Sequence, residues 1–63
     1  MKRRDLMKRL AKIAKAEDED LIITEGGPHT KVQIGDRVDS VPRHTEVNEI
    51  TAQKIIRKME GKA

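Results

Sequence analysis

His29 and His44 are the side chains of this 63-residue sequence best suited to moving a proton at neutral pH, because a free imidazole titrates at about 6.5. His29 follows Gly26-Gly27-Pro28 and precedes Thr30-Lys31. It therefore stands directly after backbone whose missing Cβ atoms let a ligand come close. His44 closes the run Val41-Pro42-Arg43-His44. On spacing alone His29 reads more readily as a solvent-facing strand residue than as a proton-transfer group, and Arg43 and His44 equally as site residues and as turn formers.

Other chemistries fit the residues less well. There is no cysteine, and the two imidazoles lack the short-spaced partners that zinc sites use. The acidic run Glu17-Asp18-Glu19-Asp20 does not follow the alternating oxygen-ligand order of a calcium loop. Gly26-Gly27-Pro28 leads into a strand, whereas glycine loops that cradle phosphates open a helix. Ser40 is the sole serine, and nothing in its spacing supplies the base and orienting acid of a hydrolase triad. No metal and no cofactor is expected.

The elements that must position these groups follow from the apolar spacing. Between Asp5 and Ala16, the residues Leu6, Leu10, Ile13 and Ala14 line one side and Lys8, Arg9, Lys12 and Lys15 the other, which predicts an amphipathic helix. Four adjacent acids at 17–20 sit badly at the negative end of a helix dipole and stop it. Leu21-Ile22-Ile23-Thr24 predicts a strand of about five residues, broken by Gly26-Gly27-Pro28. His29–Ile34 alternates, with Thr30, Val32 and Ile34 inward and His29, Lys31 and Gln33 outward. Gly35-Asp36 suits a tight two-residue hairpin, and Arg37–Val41 returns with Val38 as the expected inward residue before Pro42 ends the strand.

A second helix carries Ala52, Ile55, Ile56 and Met59, with Lys54, Arg57 and Lys58 outside and Gly61 as its stop. Thr51 and Asn48 are both good N-caps, and Val47 and Ile50 extend the stripe if the earlier one is used. The expected fold is a single α+β domain of order αβββα over residues 1–63. Both helices lie on one face of a three-stranded antiparallel meander, and the face bearing His29, Lys31 and Gln33 stays open.

Charge divides the chain into three blocks. Residues 1–15 hold seven bases against Asp5, a net of +6; residues 16–36 net −5; residues 37–63 net +2. Basic helices around an acidic middle attract a polyanion, although solubility alone would favour lysine on exposed helix faces. A short chain with 35% apolar residues and no aromatic ring builds a thin core, so a partner is expected to add stability. The charges scattered through residues 2–15 rule out a secretory or membrane-spanning segment there, and a cytoplasmic location is expected.

Several motifs together resemble one family. Arg-Arg-Asp-Leu stands at 3–6, a Gly-Gly-x-His turn at 26–29, Val-Pro-Arg-His at 41–44, Glu-Val-Asn-Glu at 46–49 and Thr-Ala-x-x-Ile-Ile at 51–56. Across nearly its whole length the chain resembles the HicA toxins of type II toxin-antitoxin modules. The resemblance implies a double-stranded-RNA-binding-like αβββα fold. It also implies an endoribonuclease (mRNA interferase) that cleaves mRNA with the histidine of the Gly-x-His turn, here His29, and is silenced by a HicB-type antitoxin. The chain departs from the family pattern in its acidic run 17–20, in Pro28 before the histidine, and in Ile50 where many members have Gly, which leaves the start of the second helix open between the two caps.

Joined to the residue chemistry, this gives a metal-independent reaction. His29 takes the proton of a ribose 2′-OH or gives one to the leaving 5′-oxygen, forming a 2′,3′-cyclic phosphate. Lys31, Arg43 or His44 steadies the charge on phosphorus. Without aromatic rings for stacking, RNA is held through its phosphates and 2′-OH groups, with Arg3, Arg4, Lys8, Lys12, Lys54, Arg57 and Lys58 as candidate contacts. A non-catalytic RNA-binding module needs only the fold and the basic helices and stands as the alternative. A membrane-surface helix over residues 2–15 would leave the remaining chain without a role.

Overall fold

The computed structural model describes residues 1–61. Helix α1 (Arg3–Ala16) buries Leu6, Leu10, Ile13 and Ala14 along the predicted stripe. Its C-terminus closes as a Schellman turn in which Asp18 takes φ 57°. The amide of Glu19 donates to the Ala14 carbonyl at 2.8 Å and that of Asp18 to Lys15 at 3.1 Å, the two bonds such a turn requires. Asp fills the left-handed position that Gly usually takes, because its short polar side chain tolerates that backbone better than most. The acidic run thus ends the helix by turn geometry as well as by charge.

Strands β1 (Leu21–Gly26), β2 (His29–Ile34) and β3 (Arg37–Pro42) form an antiparallel sheet of order β1-β2-β3. Each hairpin turns in two residues with a glycine first: Gly27 (φ 68°) before Pro28, and Gly35 (φ 61°) before Asp36. Positive φ at the first of two turn residues matches the right-handed twist of the flanking strands.

Two-residue turns fix the register, and the register fixes the faces. Thr30 pairs with Glu25 and Val41, Val32 with Ile23 and Asp39, and Ile34 with Leu21 and Arg37. These residues share the helix side of the sheet. The other side carries Ile22, Thr24 and Gly26 on β1, His29, Lys31 and Gln33 on β2, and Val38, Ser40 and Pro42 on β3. The inward set of β2 is as its alternation predicts. On β3, however, Val38 pairs with Gln33 and belongs to the open face, and the inward apolar residue is Val41, which is fully buried. The expectation for Val38 fails because two turn residues place Arg37 opposite inward-facing Ile34, which makes the odd-numbered positions of β3 the inward ones.

Helix α2 (Glu49–Met59) starts from Asn48, whose Oδ1 accepts from the amides of Ile50 at 2.9 Å and Thr51 at 3.4 Å. Of the two candidate caps, the earlier is used. Val47 joins the core, whereas Ile50 remains 69% exposed, so the apolar stripe gains only one of the two residues an early start offered. Ala52, Ile55, Ile56 and Met59 are buried, and Gly61 leaves the helix at φ 80°.

Both helices pack on one face of the sheet, around an aliphatic core that includes Leu6, Leu10, Val32, Ile34, Val41 and Met59. Arg37, at an inward position of β3, ties the far end together. Its Nε donates to the Met59 carbonyl at 2.8 Å and its Nη2 reaches Glu17 Oε1 at 2.7 Å. A cation at the last carbonyls of α2 also suits the helix dipole. None of the described helices is long and apolar enough to cross a membrane.

Candidate functional site

The sheet end that carries the Gly27-Pro28 turn gathers most of the residues singled out in the sequence, on two different sides. Alternation sets the division: Thr30 is buried beneath the helices, so its neighbour His29 projects from the open face. His29 is exposed, between Gly26 and Pro42 in the cross-strand register. Lys31 lies on the same face, exposed, between Thr24 and Ser40. The imidazole is thus solvent-facing, with small or ring-shaped neighbours across the strands that leave room above it.

The helix side of the same end is built from three segments. The chain entering α1 pairs with the connection between β3 and α2: the Arg3 amide donates to the Thr45 carbonyl, and the Val47 amide to that of Met1, each at 2.8 Å. This pairing holds Arg3 above the start of β2. There its Nη2 donates to Thr30 Oγ1 at 2.6 Å, and Thr30 donates in turn to Glu25 Oε1 at 2.6 Å. The same carboxylate oxygen accepts from Arg43 Nη2 at 3.1 Å. One buried hydroxyl and one carboxylate therefore link Arg3 with Arg43.

The bond from Thr30 is the main influence on Glu25 and lowers its pKa below the ordinary 4.5; desolvation opposes it, and Arg43 and Arg3 lower it further. Glu25 is an anion at any physiological pH. Arg3 Nε is buried and has no hydrogen-bond partner among the described residues.

Beside this network lies a groove of about 380 Å³ lined by Lys2, Arg3, Arg4, Arg43 and Thr45. Four of its five lining residues are cationic, and none is acidic. Arg4 approaches Asp5 at only 3.9 Å and is 75% exposed, so its charge is largely free to meet a ligand. His44 is exposed in the adjoining connection and does not line the groove. No group of three or more His, Asp or Glu side chains able to hold a metal occurs among the described residues.

The structure thus brings Arg3, Arg4 and Arg43 together and sets His29 and Lys31 apart on the opposite face. Sequence reading missed Lys2, Thr45 and the linking pair Thr30 and Glu25. For Thr30 a signal was available: a hydroxyl at an inward position of an otherwise aliphatic stripe requires a hydrogen-bond partner inside the fold. Of its two partners, Glu25 lies 5 residues back across the hairpin, whereas Arg3 comes from 27 residues away and has no local signature. The chain matches no known family model, no curated protein and no solved structure.

Proposed function

We propose that this protein is a HicA-like toxin, a metal-independent endoribonuclease that acts on mRNA in the cytoplasm and is neutralised by a HicB-type antitoxin. The observation that carries the reading is the placement of His29. It is exposed at the mouth of a two-residue hairpin, on the uncovered face of the sheet, with Lys31 two residues on along that face. An imidazole so placed can take the 2′-OH proton as oxygen attacks phosphorus, or protonate the 5′-oxygen as it leaves. Lys31 is the cation on that face to offset the charge that builds on the phosphoryl oxygens. The motif set at 3–6, 26–29, 41–44, 46–49 and 51–56 supports the family reading, and the uncovered sheet face offers an antitoxin room to bind.

The test is cleavage of end-labelled RNA by the purified protein in excess chelator, alongside His29→Ala. The expected result is a ladder of fragments with 2′,3′-cyclic phosphate ends that the substitution abolishes. Cleavage that persists in the variant removes His29 from the mechanism. One feature favours the second reading, a non-catalytic RNA-binding module: Arg3 and Arg43 lie on the helix side, leaving the imidazole a single strand-borne cation. Growth arrest on induction separates the two, since a binder keeps its effect after His29→Ala.

A further inference from the structure

We infer that the groove between the start of α1 and the β3–α2 connection is a phosphodiester-binding subsite, which anchors the RNA backbone at a phosphate next to the one His29 faces. The inference rests on the RNA reading for its ligand class and assigns Arg3, Arg4 and Arg43 a role other than support of the transition state.

His29 and Thr30 are successive residues of β2, so their side chains leave the strand in opposite directions. Arg3 is bonded to Thr30, and Arg43 to the Glu25 carboxylate that Thr30 also bonds. These guanidinium groups are therefore committed to the helix side and do not converge with the imidazole on one phosphorus. The groove nevertheless opens at the same end of the sheet, within reach of a continuous backbone that passes the hairpin mouth.

Its lining suits a phosphodiester. Lys2, Arg3, Arg4 and Arg43 supply charge with no acid among them. Arginine dominates, and its planar fork matches phosphate oxygens. The groove also lies at the positive end of α1, where the Lys2 side chain provides no cap. Arg3 is pre-positioned by two hydrogen bonds, one from its amide and one from its guanidinium, so little of its freedom remains to be lost on binding. Glu25 stands beside the groove without lining it. It orients Arg43 while subtracting one charge from the local field, so Glu25→Gln, which keeps an accepting oxygen, should tighten RNA binding.

The experiment measures fluorescence anisotropy of a labelled RNA oligomer at several salt concentrations, with the whole chain and two double variants of equal charge change. Arg4→Gln with Arg43→Gln empties the groove of two exposed cations. Arg9→Gln with Lys15→Gln removes two exposed cations further along α1. The groove pair should raise Kd by about tenfold or more at low salt and flatten the log Kd against log salt slope by about 0.7 for each phosphate no longer neutralised. The control pair should change Kd by less than about threefold. Equal weakening in the two variants would reduce the groove to part of a general positive field and overturn the inference.

Oligomers with 5′-hydroxyl and 5′-phosphate ends should bind alike; binding that requires the terminal phosphate overturns assignment to the backbone. Where the protein cleaves, the groove pair should raise KM and leave kcat within about threefold, whereas His29→Ala lowers kcat. A fall in kcat with unchanged KM in the groove pair would return Arg4 and Arg43 to transition-state support and overturn the subsite. A protein that binds but does not cleave refutes the nuclease reading alone, and the anisotropy result still decides the groove.

Discussion

Replacing Thr30 by valine tests whether the polar link under α1 is part of what holds this fold together. The two side chains are close in shape, so the substitution removes a hydroxyl and leaves little cavity. That hydroxyl is fully buried, accepts from the Arg3 guanidinium at 2.6 Å and donates to Glu25, whose exposed carboxylate regains water when the bond is lost, so the Arg3 bond sets the cost. A hydrogen bond to a charged group contributes about 1.5–3 kcal/mol. The added methyl recovers about 0.8 kcal/mol by burial, which leaves a net loss of about 1–2 kcal/mol. A 63-residue domain stabilised by about 0.05–0.15 kcal/mol per residue has only about 3–9 kcal/mol in hand. At about 4–8 °C per kcal/mol for a domain of this size, Tm should fall by about 4–16 °C, read as circular dichroism at 222 nm during heating. Thr30→Ser keeps both hydrogen bonds, so its loss should be confined to one methyl group. A valine variant as stable as the parent, or a serine variant worse than valine, would refute the claim that the Arg3 link is stabilising.

Two further predictions probe charge and register. Glu25 has a lowered pKa in the folded chain, so it binds fewer protons there than when unfolded, and its stabilising effect is present above the ordinary carboxylate range and lost as pH falls through the lowered value. The stability difference between the parent and Glu25→Gln should therefore shrink as pH drops below 4.5 in chemical denaturation series; a difference that widens in acid would contradict the arrangement. Val41→Thr buries a hydroxyl at a fully covered position and should cost about 1–3 kcal/mol, whereas Val38→Thr on the open face should stay within about 0.5 kcal/mol. Equal costs would mean the register of β3 is wrong.

The order of elements was legible because the apolar period changes where the structure changes. Leu6, Leu10 and Ile13 keep helical spacing; Thr30, Val32 and Ile34 alternate; Ala52, Ile55, Ile56 and Met59 return to the helical stripe. Glycine placement marked both hairpins. The faces of β3 were not legible from composition, because Val38 and Val41 are both apolar and fall on opposite faces; only the pairing of Arg37 with Ile34 decides between them. Arg37 and Thr30 carry three of the long-range polar links, to Met59, Glu17 and Arg3. Such links depend on which loops meet, and local spacing does not encode that. For the same reason the candidate residues at 3, 4, 29, 31, 43 and 44 could be named singly but not sorted into two sides of a sheet.

That sorting bears on how so small a core tolerates so much charge. Its apolar side chains are aliphatic, and the two ends of the sheet are each closed by an arginine that reaches across elements: Arg37 between Glu17 and the end of α2, and Arg3 between Thr30 and the connection at Thr45. An arginine covers apolar surface with its stem while its head stays hydrogen-bonded, which suits a chain without aromatic rings. The Arg37 end is neutralised by the acidic run. The Arg3 end sets three carboxylates, Asp5, Glu25 and Glu46, against the Met1 amine, Lys2, Arg3, Arg4 and Arg43, and so remains positive. On the RNA reading, the clasp that completes the fold at that end is also the surface proposed to hold an anionic backbone. Loss of RNA affinity and loss of stability should therefore separate at Arg4, which takes no part in closing the fold, and coincide at Arg3, whose two hydrogen bonds close it.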